Sequence, residues 1–345
     1  MATIPVSPRV SLLASWCASN DVSEGGSHMR VLVTGAAGFI GSTTAEQLLS
    51  LGHDVVALDS LIRGRRDNVP ERATFVEGEC GDAGLIRSLG AFDACVHFAA
   101  RIEPADSMSS PETFFTNNVA QSFTMIEALV ETGTTKVVFS SSCAVYGNQV
   151  EMPIDEDRAT SPHSPYGESK LMVEQGLRWM AQRGRLRAAT LRYFNAAGGT
   201  LAHPERHRPE IHLIPLALDA AVGRREVLSV FGTDYPTKDG TCVRDYIHVS
   251  DLADAHVRAI DALDEYRELT LNLGTGTGSS ILEVIDSVQR VTGREIPVLL
   301  ADRRPGDPAE AVASNEKARK LLGWEPQKSL LDEIVADAWA AHQSI

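Results

Sequence analysis

Tyr166 and Lys170 stand four residues apart, the spacing that puts two side chains on one face of a helix. An ammonium near a phenol stabilises the phenolate and lowers its ordinary pKa of about 10, which makes Tyr166 a base near neutrality. Upstream, the run Val137-Val138-Phe139 leads straight into Ser140-Ser141-Ser142, a supply of hydroxyls at the end of a strand. The Tyr/Lys pair alone also fits an ordinary surface contact. Its weight comes from position, after a nucleotide-type turn and a serine run.

That turn is Val31-Leu32-Val33-Thr34-Gly35-Ala36-Ala37-Gly38-Phe39-Ile40-Gly41, with glycines spaced G-x-x-G-x-x-G. Glycine permits the tight turn and lets backbone N–H groups approach a pyrophosphate, and the helix N-terminus that follows adds positive potential. Three glycines alone also fit a plain strand–helix turn. Asp59 lies 18 residues past Gly41, where a carboxylate accepts hydrogen bonds from a ribose 2′-OH and repels a 2′-phosphate, so the expected cofactor is NAD rather than NADP. Arg63, Arg65 and Arg66 are a contrary signal, because they are near enough to greet a phosphate.

The elements needed to hold these groups are legible as alternation. Arg30–Thr34, Asp54–Leu58, Ala94–Phe98, Lys136–Ser140 and Ala188–Tyr193 read as buried strands, with helical patterns such as Ser42–Leu51, Asn118–Glu131 and Ser169–Gln182 between them. The expected fold is α/β: a doubly wound parallel sheet of Rossmann type with a smaller α/β C-terminal domain. From about Asn195, Pro and His become frequent and periodicity fades; Arg244–Ile260 regains a strand–helix look, and Leu282–Thr292 and Asn315–Leu322 read as amphipathic helices. The expected division is a cofactor domain over 29–195 with a return segment near 244–262, and a second domain over 196–243 and 263–345.

The chain has 345 residues, 32 Lys+Arg against 46 Asp+Glu, and a net charge of −14, which argues against nucleic acid as a partner. No apolar stretch approaches the ~18 residues of a membrane span, so no membrane partner is expected. Cys17, Cys80, Cys95, Cys143 and Cys242 are scattered, with no zinc spacing, and read as reduced thiols of a cytoplasmic protein. His97, His203, His207, His212 and His248 show no metal-ligand spacing, so no metal is expected. Residues 1–28 have few charges, no clear periodicity and end in Gly-Ser-His before Met29. They read as a disordered leader or tag, a vector-derived junction, a natural extension or a short secretory signal all being open.

The later blocks Leu191-Arg192-Tyr193-Phe194-Asn195, Val230-Phe231-Gly232-Thr233-Asp234-Tyr235-Pro236-Thr237, Asp239-Gly240-Thr241-Cys242-Val243-Arg244-Asp245-Tyr246-Ile247-His248-Val249 and Leu273-Gly274-Thr275-Gly276-Thr277-Gly278, taken with the glycine turn, the serines and Tyr166/Lys170, resemble the UDP-glucose 4-epimerase family of the extended short-chain dehydrogenase/reductase superfamily. The resemblance runs from about Met29 to Trp339. It implies an isomerase, an NAD-dependent 4-epimerase of UDP-hexoses (UDP-glucose/UDP-galactose), working by transient oxidation to a 4-keto sugar, turning of that sugar and return of the hydride. Tyr166 would take the proton of the 4-OH, Ser142 would hydrogen-bond the same oxygen, and Lys170 would hold the nicotinamide ribose and depress the Tyr pKa. Gly35, Gly38, Phe39, Ile40, Gly41 and Asp59 would line NAD. Phe98, Ala99 and Ala100 would lie beside it, with Glu79, Cys80 and Ser140 also in contact. Asn118 and Tyr193 would flank the nicotinamide half.

Asn195, Leu213, Phe231, Arg244, Arg304 and Asp307 would hold the UDP-sugar, with arginines facing its diphosphate through charge-assisted bonds. A homodimer is also implied, through helices of the first domain. Three positions depart from the family pattern: Glu79 replaces an Asp, Ile102 a Lys, and Ala311 a bulky Tyr. A small residue at 311 enlarges the sugar pocket, which keeps UDP-N-acetylglucosamine and UDP-glucuronate as rival substrates. Arg101 or Arg192 could face a carboxylate at carbon 6. A dehydratase or decarboxylase is a more remote reading, because Cys143-Ala144 rather than an acidic pair follow Ser142. A non-enzymatic dinucleotide-binding regulator would be expected to have lost Ser142, Tyr166 or Lys170, and all three are present.

Overall fold

A computed structural model describes residues 28–207, 209–304 and 306–344. The leader expected at 1–28, but for its last residue, lies outside the described residues, as does Cys17. Seven strands form the main sheet in the order β3-β2-β1-β4-β5-β6-β10: β1 (Arg30–Thr34), β2 (Asp54–Asp59), β3 (Thr74–Glu77), β4 (Ala94–His97), β5 (Lys136–Ser142), β6 (Arg187–Tyr193) and, far along the chain, β10 (Glu268–Leu273). Every neighbouring pair is parallel. All seven carboxyl ends therefore lie along one edge. The strand order reverses between β1 and β4, the place where a doubly wound sheet opens a crevice for ligands.

Both faces are covered, as the near-continuous apolar runs require. One face packs Val31, Val33, Val96, Val138 and Leu271 under the helices Phe39–Ser50 and Val249–Ala262. The other packs Leu32, Cys95, Val137 and Phe139 under Ala83–Ser88, Gln121–Glu131 and Pro165–Gln182.

A smaller unit stands over the carboxyl edge. In it β9 (Val243–His248) pairs with β7 (Asn195–Ala197), β11 (Gly278–Ser280) and β13 (Glu310–Ala311), while β8 (Leu228–Phe231) and β12 (Val298–Ala301) form a separate parallel pair. Its core joins Ile214, Leu218, Val284, Val288, Ile334 and Val335 from three helices. Of the expected return segment, the helix Val249–Ala262 does pack on the main sheet, but the strand before it does not belong there. Val243–His248 belongs to the small sheet, whereas Glu268–Leu273 re-enters the main one beside β6. Trp324 likewise packs into the main core, its indole N–H donating to the Asp251 carbonyl at 3.0 Å. The Leu-Thr-Leu-Asn-Leu run is apolar enough to be a buried strand, but nothing in its own pattern says which sheet receives it.

Candidate active site

One cleft of about 1400 Å³ runs from the glycine turn to the small unit. That exceeds the ~300–1,000 Å³ of a pocket for one small ligand and suits two ligands end to end. At one end Gly35 has φ +69°, and a Cβ there would sit 2.7 Å from the Ala99 nitrogen. At Gly41 a Cβ would come within 2.3 Å of the Gly35 carbonyl oxygen. The turn, the helix start and the strand after it thus meet at distances only glycine allows. Asp59 accepts from the Ala37 and Leu61 amides at 2.9 and 2.8 Å; burial raises its pKa and these bonds oppose the rise. A Cβ at Gly64 would touch the Asp59 carboxylate at 2.8 Å, so the chain passes close over it. The three arginines are already engaged. Arg63 is 3.2 Å from Glu103, Arg65 is 3.3 Å from Asp67, and Arg66 lies over the Phe75 ring at 4.4 Å. Glu79 lines the wall and accepts from Gln121 at 2.5 Å. Phe39, Ile40, Gly38, Cys80, Phe98, Ala99 and Ala100 line the same stretch.

Midway, β5 and the helix Pro165–Gln182 bring Ser140, Ser142, Tyr166 and Lys170 to the wall, with Tyr193 from β6. Ser142 accepts from the Ala144 amide at 3.2 Å and stands on the same wall as Tyr166. Lys170 Nζ donates to the Ser140 carbonyl at 2.8 Å and lies 5.9 Å from the Tyr166 ring centre. Ser140 Oγ and the Tyr193 hydroxyl are bonded to each other. The electrostatics differ from the expectation. Burial pushes Tyr166 up to about 12, against the lowering by Ser142, with Cys143 and Glu103 adding to the rise. Burial also brings Lys170 down to about 7, with Glu174 opposing. Each group resists becoming charged in a dry place, so the protein's own ammonium does not bring the phenol to neutrality.

At the far end stand Asn195, Phe231, Arg244, Arg304, Asp307 and Ala311. Arg304 lies over the Phe231 ring at 3.8 Å, and Arg244 donates to the Val243 and Pro308 carbonyls, both at 2.9 Å. Among the described residues neither has a carboxylate partner, which leaves two cations facing the cleft with charge to offer. Asn195 donates to the Asp245 carbonyl at 3.1 Å. Leu213 lies instead in an adjoining cavity of about 200 Å³ that shares Asn195, Phe231, Arg244, Arg304 and Asp307.

Two expected residues turn elsewhere. Asn118 sits in a π-helical turn, Phe115–Ala120, and its side chain bonds the Arg101 backbone and Ser169 Oγ. It fixes the loop after β4 rather than lining the cleft, which Asn117 does. Arg192 is buried in a bidentate pair with Glu174 (2.6 Å) and cannot meet a sugar carboxylate; Arg101 does line the cleft.

A further segment, not evident in the sequence, closes the cleft's side. His203 Nδ1 is 3.0 Å from the Asn68 carbonyl, Arg206 is 2.7 Å from Asp67, and His207 is 3.3 Å from Glu103. His207's hydrogen bond, with Arg63 nearby, holds the Glu103 carboxyl down at about 2, although burial opposes it. Glu205, Glu210 and His212 come close enough for one ion, but His212 Nδ1 already meets both carboxylates, at 2.7 and 3.0 Å. Burial disfavours charge on His212, yet the two acids outweigh it and raise its pKa to about 10, so an imidazolium fills the cation's place. Irregular spacing in a Pro-rich stretch hid this cluster; only the density of Glu and His hinted at it.

The model of the NAD dependent epimerase/dehydratase family matches residues 31–274. A UDP-glucose 4-epimerase of Lacticaseibacillus casei is 44% identical over 324 residues, covering 92% of this chain and 97% of its own length. The fold matches the crystal structure of a UDP-glucose-4-epimerase from Stenotrophomonas maltophila with bound NAD and formylated UDP-arabinopyranose. The TM-score is 0.89 and the identity 39%, covering 92% and 98% of the two chains. It also matches a UDP-glucose 4-epimerase from Bifidobacterium longum in complex with NAD+ and UDP, with TM-score 0.86, identity 35%, and 91% and 98% covered.

Proposed function

Because this chain belongs to the NAD dependent epimerase/dehydratase family, we propose that it works as an NAD-dependent UDP-hexose 4-epimerase, interconverting UDP-glucose and UDP-galactose. The observation that carries the assignment of roles is the meeting of Ser142, Tyr166 and Lys170 in one cleft, between a glycine-lined end and an arginine-bearing end.

The residues at the glycine end fit a dinucleotide: Gly35 and Gly41 would make room for a pyrophosphate, and the Asp59 carboxylate would accept from a ribose diol. NAD, when bound, supplies the hydride acceptor and donor and a positive ring. Arg244 and Arg304 offer unopposed guanidinium charge to the diphosphate of the substrate, and Phe231 and Asn195 stand beside them. Tyr166 takes the proton from the sugar 4-OH and later returns it. Ser142, oriented by the Ala144 amide, steadies the same oxygen. Lys170 must carry its ammonium for Tyr166 to lose its proton, and burial disfavours the charged form of each.

Ala311 favours a second substrate. It lines the cleft as a small side chain paired in register with Arg244, and leaves room for a bulkier sugar substituent such as N-acetyl. A cytoplasmic setting is supported by four unpaired thiols (Cys80, Cys95, Cys143 and Cys242), and no helix among the described residues is long and apolar enough to cross a membrane. A homodimer, with a UDP-sugar as the small-molecule partner, completes the reading.

The test is a panel of UDP-glucose, UDP-N-acetylglucosamine and UDP-glucuronate, assayed for their 4-epimers without added cofactor. UDP-glucose should turn over. Tyr166→Phe should lower kcat by about 10²–10⁴-fold while NAD stays bound. Unchanged turnover removes Tyr166 from its role.

A further inference from the structure

Tyr166, Lys170 and Glu174 follow one another at four-residue steps on the helix Pro165–Gln182, so one face carries all three. Two of them grip β5 in succession. Lys170 Nζ donates to the Ser140 carbonyl at 2.8 Å, and Ser141 Oγ donates to Glu174. Ser141 pairs in register with Arg192 of β6, whose guanidinium holds the same carboxylate from the other side, Nη2 to Oε2 at 2.6 Å and Nε to Oε1 at 3.0 Å. The next register pair is Ser142 with Tyr193, at the cleft wall. Arg192 is anchored in turn by the Tyr146 hydroxyl at 2.9 Å, and Tyr146 donates to Asn272 of β10 at 2.7 Å. The helix bearing the phenol is thus indexed onto the strand bearing Ser142, one turn behind the reacting atoms.

Glu174 also governs charge. Besides Tyr166 on its own helix, the titratable or charged groups around Lys170 are His97 from β4, Tyr193 and Arg192 from β6, and Glu103 and Cys143, which act on Tyr166. Burial, with Lys170 adding to it, takes His97 down to about 3, so it is neutral, and burial keeps Tyr193 protonated. Glu174 is left as the anion that supports the ammonium.

We propose that Glu174 is a positioning residue for this reaction, acting through Lys170: its carboxylate, clamped by Arg192 and Ser141, keeps the buried ammonium charged and sets Tyr166 against Ser142. This rests on the epimerase reading above.

The experiment is a pH profile of kcat for UDP-glucose with the holoenzyme and its variants. In Glu174→Gln, Lys170 loses its anion, Tyr166 becomes harder to deprotonate, and the acid limb should rise by about one pH unit, with KM within about twofold. At neutral pH that is a loss of about tenfold which shrinks as pH rises. Glu174→Gln leaves Arg192 buried and unpaired, so Glu174→Gln/Arg192→Met, which removes both charges, covers a failure to fold and should show a smaller shift in the same direction. Glu174→Asp keeps the charge and should restore the limb. Titration of the phenolate absorbance that Tyr166→Phe abolishes should move in the same direction, with or without turnover. A folded double variant with the wild-type limb and phenolate titration, or a Glu174→Asp shift as large as that of Glu174→Gln, overturns the inference. A wild type that titrates as expected but epimerises nothing overturns the epimerase reading instead.

Discussion

As the proposed ribose acceptor, Asp59 would decide between two nucleotide tails by what it has left to offer. Both oxygens already accept an amide, yet a carboxylate has lone pairs for a ribose diol as well. The arginines that compete for a 2′-phosphate are committed elsewhere, to Glu103, Asp67 and the Phe75 ring, so the acid prevails over a positive local count. The glycines at this end act by exclusion. Gly41→Ala would drive a methyl to 2.3 Å from the Gly35 carbonyl oxygen, where the nearest atoms are all backbone and there is no flexible tip to move. The helix start must lift off the turn, and overpacking of this kind costs about 1–3 kcal/mol. The expected outcome is a lower melting temperature and a protein that no longer gains stability from added NAD, read by thermal unfolding with and without the cofactor. An NAD-induced shift of wild-type size would show that the close approach is not needed for binding.

Among the elements, the segment from Thr200 to His212 owes its shape to ion pairs rather than to periodicity. Its imidazolium at His212 sits between Glu205 and Glu210, with a folded pKa of about 10 against an ordinary value of 6.5. A base raised on folding stabilises the fold fully below 6.5, and that contribution fades as pH climbs through about 10. Amide exchange in this segment should therefore quicken, beyond its intrinsic pH dependence, between pH 7 and 10, and His212→Gln should abolish the extra pH dependence. An extra slope that persists in the variant would place its origin elsewhere. Such a segment is hard to read from sequence because its contacts, Asp67 to Arg206 and Glu103 to His207, join residues more than a hundred positions apart. The strands β1, β2, β4, β5 and β6 were legible, since each is a short, largely apolar run. The block from Asp239 to Val249 was legible as a signature but not in its work. Asp245 takes amides from Thr275, Gly276 and Ala313, and His248 caps the next helix through the Ser250 amide, while Arg244 alone of that strand lines the cleft. Tyr166 and Lys170 declared themselves by spacing. Glu174, Arg192 and Asn118 did not, because which way each points depends on strand register and on a π-turn.

At the scale of the molecule, the chain passes repeatedly between the main sheet and the small unit, so the cleft is bounded by segments that cannot separate without unthreading β10 from beside β6. Some of the large apolar side chains the fold leaves exposed are on the outer helices. Met172 and Trp179, seven residues apart on the helix Pro165–Gln182, are 40% and 58% exposed, and Met108 on the neighbouring Pro104–Ser109 is 64% exposed. Met172 and Trp179 share one face of their helix and fit a contact with a second copy, which needs about 1,000 Å² in all to be stable, whereas Met108 also lines the cleft. Each copy brings a net charge of −14, so association must overcome repulsion that salt screens. A homodimer built on these helices should therefore tighten as ionic strength rises, the reverse of an interface made of ion pairs. Sedimentation at low and high salt should show a dimer favoured by salt. Trp179→Glu should give a monomer that still holds NAD, since the residue lies outside the cleft. A chain that stays monomeric at every salt concentration, or a Trp179→Glu variant that still pairs, would rule this face out as the contact.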